Sequence, residues 1–360
     1  MESDVMEQEK IEIYGTFGPA CKAQDVLEDM IRCGMTGMRL NLSHTTLKKS
    51  KEYIDNYKKA ASKLGLKPQI LIDMQGPELR IGNMDEIYLQ EKQTAMFVSN
   101  AAISGTETSK DLVVENTQEI LRIPVPVEVL EVIKTNMQVL LDDGKIRTKV
   151  LEVTGQEAVV QVLMGGKLKS HKSIKIVDVN VTMPILTNYD MENIRQAKEY
   201  GVTALMQPFV FSGEDLKKVR ELLKKEKMEF LKIFAKIENR MGVEHLDSIL
   251  PEADLIVIAR GDLGNDMPLW ELPKVQKNIE LACKKYDKPY MVVTQMLSSM
   301  EENPLPTRAE VSDIFHAVYH GAKAVMVTGE TAVGKYPVEV IKYLSNTALE
   351  AKRYLENKAE

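Results

Sequence analysis

The chain has 360 residues, 44% of them hydrophobic and 28% charged, and a net charge of −6 at pH 7. This composition is that of a globular protein with one large domain or two, and it provides no basic surface of the kind that binds nucleic acid. No apolar run is long enough to span a membrane, the acidic start MESDVMEQEK is unlike a signal peptide, and three cysteines without a CxxC pair indicate a reduced, cytoplasmic protein.

Eight short apolar or β-branched runs alternate along the chain with amphipathic helical stretches such as LEDMIRCGM and PLWELPKVQKNIELACKKY. The runs are, in order, IEIYGTF, TGMRLNLS, KPQILIDMQG, VTALMQPF, LKIFAKIEN, ADLIVIARGD, KPYMVVTQM and AKAVMVTGE. Alternation of this length predicts a parallel sheet in an α/β fold, and eight repeats favour a closed (β/α)8 TIM barrel over an open sheet.

The region from about 81 to 180 interrupts this alternation. It contains strand-like runs such as KTNMQVLLDDGKIRTKVLEV and GQEAVVQVLMGG, separated by turn signals such as Asp143-Gly144. We therefore expect residues 1–80 to form the first part of the barrel and 181–360 to form the remainder. Residues 81–180 are expected to form an inserted, small β-barrel-like domain after the third barrel strand. A lid over the carboxyl end of the barrel is the expected role, and a passive decoration is the alternative.

Polar residues fall where the predicted strands end. They are Arg39, Asn41 and Ser43 on one face of the second strand, Asp73 after the third, Lys236 and Glu238 after the fifth, Asp262 after the sixth, and Thr294 after the seventh. In a barrel these strand ends meet at one rim, so the scattered residues predict a single site. A cap or an ion pair would explain any one of them alone, but not their agreement.

The acidic members of this set indicate a divalent cation. Glu238 and Asp262 offer hard oxygen ligands suited to Mg²⁺ or Mn²⁺, and no His or Cys accompanies them, which argues against zinc. Asn41, Ser43 and Asp73 bring neutral oxygens and one carboxylate, a plausible cradle for a monovalent cation.

The basic members indicate an anionic substrate. Lys236 and Arg39 supply the positive charge that a phosphoryl group in transfer requires. The ARGDLG segment at 259–264 predicts a turn whose backbone N–H groups bind a carboxylate. Phosphoryl transfer beside a divalent ion is the chemistry that fits best.

Nine segments of the sequence, in family order, closely resemble pyruvate kinases. They are GTFGPAC (15–21), MRLNLSH (38–44), DMQGPELR (73–80), LDDGKI (141–146), KIEN (236–239), ARGDLG (259–264), TQMLSSM (294–300), PTRAEVSD (306–313) and GETAVGKYPVE (329–339). The resemblance implies a (β/α)8 barrel with a β lid after strand three. It also implies an enzyme that transfers the phosphoryl group of phosphoenolpyruvate to ADP, giving pyruvate and ATP in glycolysis.

The resemblance also implies a role for each matching position. Glu238 and Asp262 would hold Mg²⁺ or Mn²⁺, and Lys236 would stabilise the moving phosphoryl group. K⁺ would bind Asn41, Ser43, Asp73 and the carbonyl of Met74, and Glu78 resembles members that require K⁺. The phosphate and nucleotide contacts would be Arg39, Arg80, His44, Pro19 and the lid lysine Lys172. The amides of Gly261 and Asp262 would hold the substrate carboxylate with Thr294, whose hydroxyl would belong to the route that protonates the enolate.

The sequence also departs from the family pattern. Gln75 replaces a usual lysine, Pro208 a usual serine and Ser298 a usual glutamate, and Arg240-Met241 interrupts the motif after KIEN. Full-length members continue into a C-terminal domain, so we expect a short form without sugar-phosphate control. A homo-oligomer through the barrel is compatible with the sequence.

Two other functions stay open. One is a metal-dependent lyase or decarboxylase acting on a pyruvate enolate, and the other is a non-catalytic binding protein of pyruvate kinase ancestry. Retention of Lys236, Arg39, Arg80 and the lid favours the kinase over the lyase. The intact metal ligands argue against the binding protein, whereas the missing domain and Gln75 keep it open.

Overall fold

Sixteen strands form in the part of the chain that the structure describes. The structure is a computed structural model, and it describes residues 11–43, 45–76, 78–100, 120–177, 179, 181 and 183–359. In chain order the strands are β1 (Glu12–Thr16), β2 (Gly37–Asn41), β3 (Gln69–Asp73), β4 (Ile87–Leu89), β5 (Thr94–Ser99), β6 (Leu121–Val125), β7 (Gln138–Leu141), β8 (Ile146–Thr154), β9 (Glu157–Met164), β10 (Gly166–Leu168), β11 (Ile174–Ile176), β12 (Ala204–Gln207), β13 (Lys232–Ile237), β14 (Leu255–Ala259), β15 (Tyr290–Val293) and β16 (Ala324–Met326).

Twelve α-helices and two short 3-10 helices lie between and after the strands in the described residues. The α-helices are α1 (Gln24–Arg32), α2 (Lys51–Lys63), α3 (Val127–Val132), α4 (Asn188–Tyr200), α5 (Gly213–Lys225), α6 (Arg240–Glu244), α7 (Leu246–Glu252), α8 (Arg260–Asn265), α9 (Leu272–Lys285), α10 (Arg308–Tyr319), α11 (Gly329–Ala332) and α12 (Pro337–Ala359). The 3-10 helices are Pro19–Cys21 and Ser298–Glu301.

Eight of the strands close into a barrel, in the order β1-β16-β15-β14-β13-β12-β3-β2. Every neighbouring pair is parallel, including the pair of first and last strands, where Glu12 lies opposite Ala324. These are the eight runs that the alternation predicted, so the (β/α)8 fold is confirmed. Because the strands are parallel, their carboxyl ends share one rim, and register places Asn41 opposite Asp73 there.

The barrel interior is filled by side chains that alternate along each strand. Leu71 on β3 and Phe234 on β13 belong to this buried inner cluster. Side chains two residues further on point the same way, so Asp73 and Lys236 continue the same two rows at the carboxyl rim. A larger apolar cluster fills the space between the strands and the surrounding helices. The apolar layers therefore end where the charged layer begins.

The chain divides into two compact units. The barrel unit comprises the chain up to Gly76 and from Ile185 onward, and the inserted unit comprises the chain between them. The inserted unit contains a six-stranded sheet in the order β11-β7-β8-β9-β5-β6 and a two-stranded pair, β10 with β4. Within the larger sheet β5 and β6 are parallel and the other neighbours antiparallel. This unit has its own buried apolar cluster.

The start of α9 differs from the sequence pattern, whereas the turn at Asp143-Gly144 follows it. The helical pattern from Pro268 becomes regular only at Leu272, because Pro273 suits the first turn of a helix and not its interior. The predicted Asp143-Gly144 turn forms with positive φ angles at both residues and at Asp142.

Of the helices in the described part of the chain, none combines the length and the hydrophobicity that crossing a membrane requires.

Candidate active site

Lys236 is the centre of a buried group of charges at the carboxyl rim of the barrel. Its ammonium lies 3.1 Å from Glu238 Oε2 and 3.5 Å from Asp73 Oδ1. Glu238 and Asp73 are only 2% and 3% exposed. Strand β13 places Lys236 and Glu238 on one side because they are two residues apart, as predicted. The ammonium therefore lies between two carboxylates from different strands.

Arg39 provides the second cation of this group. Its Nε and Nη2 donate to one oxygen of Asp73, Oδ2, at 2.9 and 2.6 Å. Its Nη1 lies 3.4 Å from the Thr16 hydroxyl on β1. An arginine predicted to bind phosphate and an aspartate predicted to bind a monovalent cation thus meet in one ion pair.

Burial and charge perturb the ionisation of all three central groups. Burial by itself lowers the pKa of Lys236, but the carboxylates of Asp73, Glu238 and Asp262 outweigh it and hold that pKa above its ordinary value. Burial raises the pKa of Glu238 to about 7, opposed by Lys236 and reinforced by Asp262. The pKa of Asp73 is lowered, since Lys236 and Arg39 together overcome the effect of burial.

The two carboxylates have unused acceptor capacity. Asp73 Oδ1 and Glu238 Oε2 are buried and accept no hydrogen bond from any residue that the structure describes, although the Lys236 ammonium lies near both. Buried oxygens usually have a partner, so these two are candidates for contact with a ligand. Within the described ranges no group of three or more His, Cys, Asp or Glu side chains could hold a metal ion. A metal at this rim would need ligands from a substrate or from water.

Phe209 holds the other oxygen of Glu238, a contact that the sequence patterns did not reveal. Its backbone N–H donates to Glu238 Oε1 at 2.7 Å. Phe209 adopts φ +54°, which is unusual for a bulky residue. The position follows β12, where Pro208 stands in place of the family's serine. The unusual backbone conformation of Phe209, just after β12, thus directs its N–H toward the buried Glu238 carboxylate.

Thr294 and Gly261 contact each other across two strand ends. The Gly261 N–H donates to Thr294 Oγ1 at 2.8 Å, and that hydroxyl donates to the Val293 carbonyl at 2.5 Å. Thr294 adopts φ +74°, an outlier for a β-branched residue. Arg260 Nη2 donates to the Thr294 carbonyl at 2.6 Å, and its Nη1 donates to Asp313 on α10 at the same distance. This arginine lies within ARGDLG, but its position just after β14 did not by itself predict these contacts.

The remaining predicted barrel residues lie near the same strand ends. The Asn41 side chain accepts the Ser43 N–H at 3.1 Å, which brings those two residues together after β2. Met74 is buried, and its N–H donates to the Met206 carbonyl at 3.1 Å. Pro19 opens the 3-10 helix after β1, and Asp262 is exposed in the first turn of α8. His44, predicted to lie near the nucleotide, falls outside the described residues.

The predicted residues of the inserted unit form a group of their own. Arg80 pairs with Glu78 at 2.5 Å and donates to the His171 carbonyl at 2.8 Å. Lys172 lies next in the chain, with its ammonium 2.7 Å from Asp142 Oδ1. The unit therefore brings Arg80 and Lys172 into one neighbourhood, and their nucleotide-binding roles remain predictions.

Comparisons with known proteins agree with the motifs. The family described as "Pyruvate kinase, barrel domain" matches residues 8–341. A protein of Staphylococcus epidermidis named "Pyruvate kinase" is 36% identical over 95% of this chain and 57% of its own length. One of Geobacillus stearothermophilus with the same name is 37% identical over 97% of this chain and 58% of its own. The chain thus spans a little over half the length of these curated relatives, and the match covers the barrel from its first strand to its last. The chain belongs to the pyruvate kinase family.

Proposed function

We propose that the protein transfers the phosphoryl group of phosphoenolpyruvate to ADP, consuming one proton and giving pyruvate and ATP. The observation that carries this proposal is the Lys236 ammonium, buried between Asp73 and Glu238 at the barrel rim with Arg39 beside it. Phosphoryl transfer depends mainly on positioning and on compensating negative charge. Two largely buried cations on rigid strands, with side chains 11% and 14% exposed, meet that need.

Lys236 and Arg39 would act on the phosphoryl group. Both are fixed before substrate arrives, because each is paired with Asp73 in the present arrangement. Cations that are already oriented stabilise charge that develops during transfer without first having to reorganise. Lys236 keeps its charge because the carboxylates raise its pKa.

Gly261, Asp262 and Thr294 would hold the carboxylate of the substrate and its enolate. The Gly261 N–H donates to Thr294 Oγ1, and that hydroxyl donates to the Val293 carbonyl, so a substrate carboxylate that binds here would take over one or both of these donors. Thr294 adopts φ +74° and its carbonyl accepts from Arg260, while the Gly261 N–H and the Val293 carbonyl orient its hydroxyl. We assign this hydroxyl to the route by which the enolate gains its proton at carbon.

The residues fit a divalent cation of the Mg²⁺ type. Glu238 Oε2 faces the Lys236 ammonium at 3.1 Å and no other donor among the described residues, and Asp262 is close enough to raise the pKa of Glu238. Two carboxylates with no sulfur or imidazole suit a hard ion that keeps sites for substrate oxygens. When bound, such an ion would neutralise charge on the phosphoryl and enolate oxygens.

For K⁺ we propose Asn41, Ser43, Asp73 and the Met74 carbonyl. Asn41 and Ser43 are joined by a hydrogen bond, and register places Asn41 opposite Asp73. Asp73 Oδ1 accepts no hydrogen bond within the described residues, whereas Oδ2 is occupied by Arg39. Oδ1, which faces only the Lys236 ammonium at 3.5 Å, is the oxygen with remaining capacity for a cation.

A measurement of pyruvate formation tests the proposal. We expect pyruvate from phosphoenolpyruvate only when ADP and Mg²⁺ are present, with a higher rate in K⁺ than in Na⁺. Pyruvate released from a longer keto acid without ADP would instead indicate the lyase. No turnover of either substrate would indicate a binding protein.

A further inference from the structure

Asp190 makes contacts that its position in a helix cap does not require. It is the third residue of α4, and with Thr187 it forms a capping box: Thr187 Oγ1 accepts the Asp190 N–H, and Asp190 Oδ2 accepts the Thr187 N–H at 2.9 Å. That exchange is local. The same carboxylate also accepts the N–H groups of Gln75 and Gly76, at 3.0 and 3.2 Å, from more than 100 residues away. Asp190 has no exposed surface.

The residues that donate to Asp190 lie on both connections to the inserted unit. Gly76 is the last residue of the barrel unit before the insertion, and Ile185 is the first after it. Thr187 follows Ile185 by two residues. One buried carboxylate therefore joins the outgoing and the returning chain at the barrel.

The segment held by Asp190 also supports the charged group at the rim. Gln75 and Gly76 directly follow Asp73 and Met74. Gly76 adopts φ +63°, and a Cβ there would lie 2.5 Å from the Pro208 side chain and 3.1 Å from the Phe209 ring. The turn thus packs closely against Phe209, whose N–H holds Glu238. Contacts run continuously from Asp190 through the turn to both carboxylates beside Lys236.

We propose that Asp190 is a positioning residue that fixes the turn 74–76, and through it the orientation of Asp73 and Glu238. It does not contact the reacting atoms, and its kinetic consequence rests on the proposed function. Residues that orient metal-binding carboxylates typically change metal affinity or activity by about 10- to 100-fold when they are replaced.

The chain offers a closely matched control for a test of this role. In α5, Ser212 and Asp215 form the same kind of capping box, and Asp215 Oδ2 accepts the N–H groups of Phe211 and Ser212 at 2.9 Å. Those contacts stay within four residues. Asp190→Asn and Asp215→Asn therefore make the same chemical change to a helix cap, but only the first weakens a contact with the turn after β3.

Hydrogen exchange followed by mass spectrometry reads the contact directly. In Asp190→Asn we expect at least one of the Gln75 and Gly76 amides to exchange at least about tenfold faster, because these amides donate to different carboxylate oxygens and Asn keeps only one accepting oxygen. Mn²⁺ affinity, measured by electron paramagnetic resonance, should fall about 10- to 100-fold. The kcat for phosphoenolpyruvate and ADP should fall while the KM for ADP stays within about twofold. Asp215→Asn should change none of these values.

The outcomes separate this inference from the proposed function. Unchanged exchange at Gln75 and Gly76 in Asp190→Asn would overturn the inference, whether or not the protein turns over substrate. An inactive wild-type protein would overturn the proposed function and leave the exchange result valid. If Asp190→Asn does not fold, the wild type alone decides: both amides should be as protected as that of Ile70 on β3, and free exchange would overturn the inference.

Discussion

Replacing Lys236 by Met removes the cation shared by two buried carboxylates. The Lys236 ammonium lies 3.1 and 3.5 Å from the two carboxylates. At an effective dielectric constant of 20, each Coulomb attraction is about 5 kcal/mol before desolvation is counted. Most of this is offset by desolvation, so we expect a net loss of about 3–5 kcal/mol in the free energy of unfolding. For a unit of this size that corresponds to a fall of about 6–20 °C in Tm.

The kinetic effect of Lys236→Met should be selective. Phosphoryl transfer should slow by about 10³-fold or more, because a preorganised cation at the moving group is lost. Metal-dependent enolisation of pyruvate, followed by NMR as deuterium exchange into the methyl group, should persist. The two assays on one preparation separate loss of transfer chemistry from general damage to the site.

A second lysine gives the control. Lys63 Nζ lies 2.7 Å from Glu28 Oε2, on helices α1 and α2 away from the barrel rim. Lys63→Met should lower stability without changing either rate. A Lys236→Met protein with wild-type kinase activity would refute the reasoning, as would one that loses transfer and enolisation in equal measure.

Three further predictions follow from other parts of the structure. Burial raises the pKa of Glu238 to about 7, so Mg²⁺ and protons compete for this carboxylate near neutral pH. Calorimetry should show the Mg²⁺ affinity falling about tenfold per pH unit below pH 7 and levelling off above it. The Glu238→Gln variant should lose this pH dependence. Gly76→Ala should lower the free energy of unfolding, measured by urea denaturation, by more than Gly65→Ala, which should lower it by about 1–2 kcal/mol. Both glycines have positive φ, but of the two only Gly76 has close neighbours at the position of an added Cβ. Equal losses would contradict the packing described. In steady-state kinetics, Lys172→Met should raise the KM for ADP about tenfold and leave the KM for phosphoenolpyruvate unchanged. The control Lys145→Met, whose lysine pairs with the same Asp142, should leave both constants unchanged. An unchanged KM for ADP in Lys172→Met would mean that Lys172 has no part in nucleotide binding.

The barrel was predictable from the sequence because its signal is repeated eight times. Each strand is a short apolar run, each run is followed by a helical stretch, and the polar residues stand at one end of the runs. Parallel strands and the side-chain alternation then place Asp73 and Lys236 in one layer without further information.

The contacts that support this layer could not be predicted in the same way. A hydrophobic pattern reports which face is buried, not which backbone amide a carboxylate accepts. Asp190 reads locally as a capping residue, and its bonds to Gln75 and Gly76 depend on where α4 packs against the turn after β3. The positive φ angles of Phe209 and Thr294 also have no signal in the sequence, because neither residue type favours that conformation.

The seam between β1 and β16 has a consequence for synthesis on the ribosome. Thr16 and Thr331, beside this seam, exchange hydrogen bonds although 315 residues separate them. At a translation rate of about 5–20 residues per second, β1 is synthesised about 15–60 s before β16, the strand with which it pairs at the seam. Throughout that interval the nascent barrel carries an open edge that can pair with another chain. Shielding of this edge by a chaperone during translation should therefore matter more to the yield of native protein than the stability of the finished barrel.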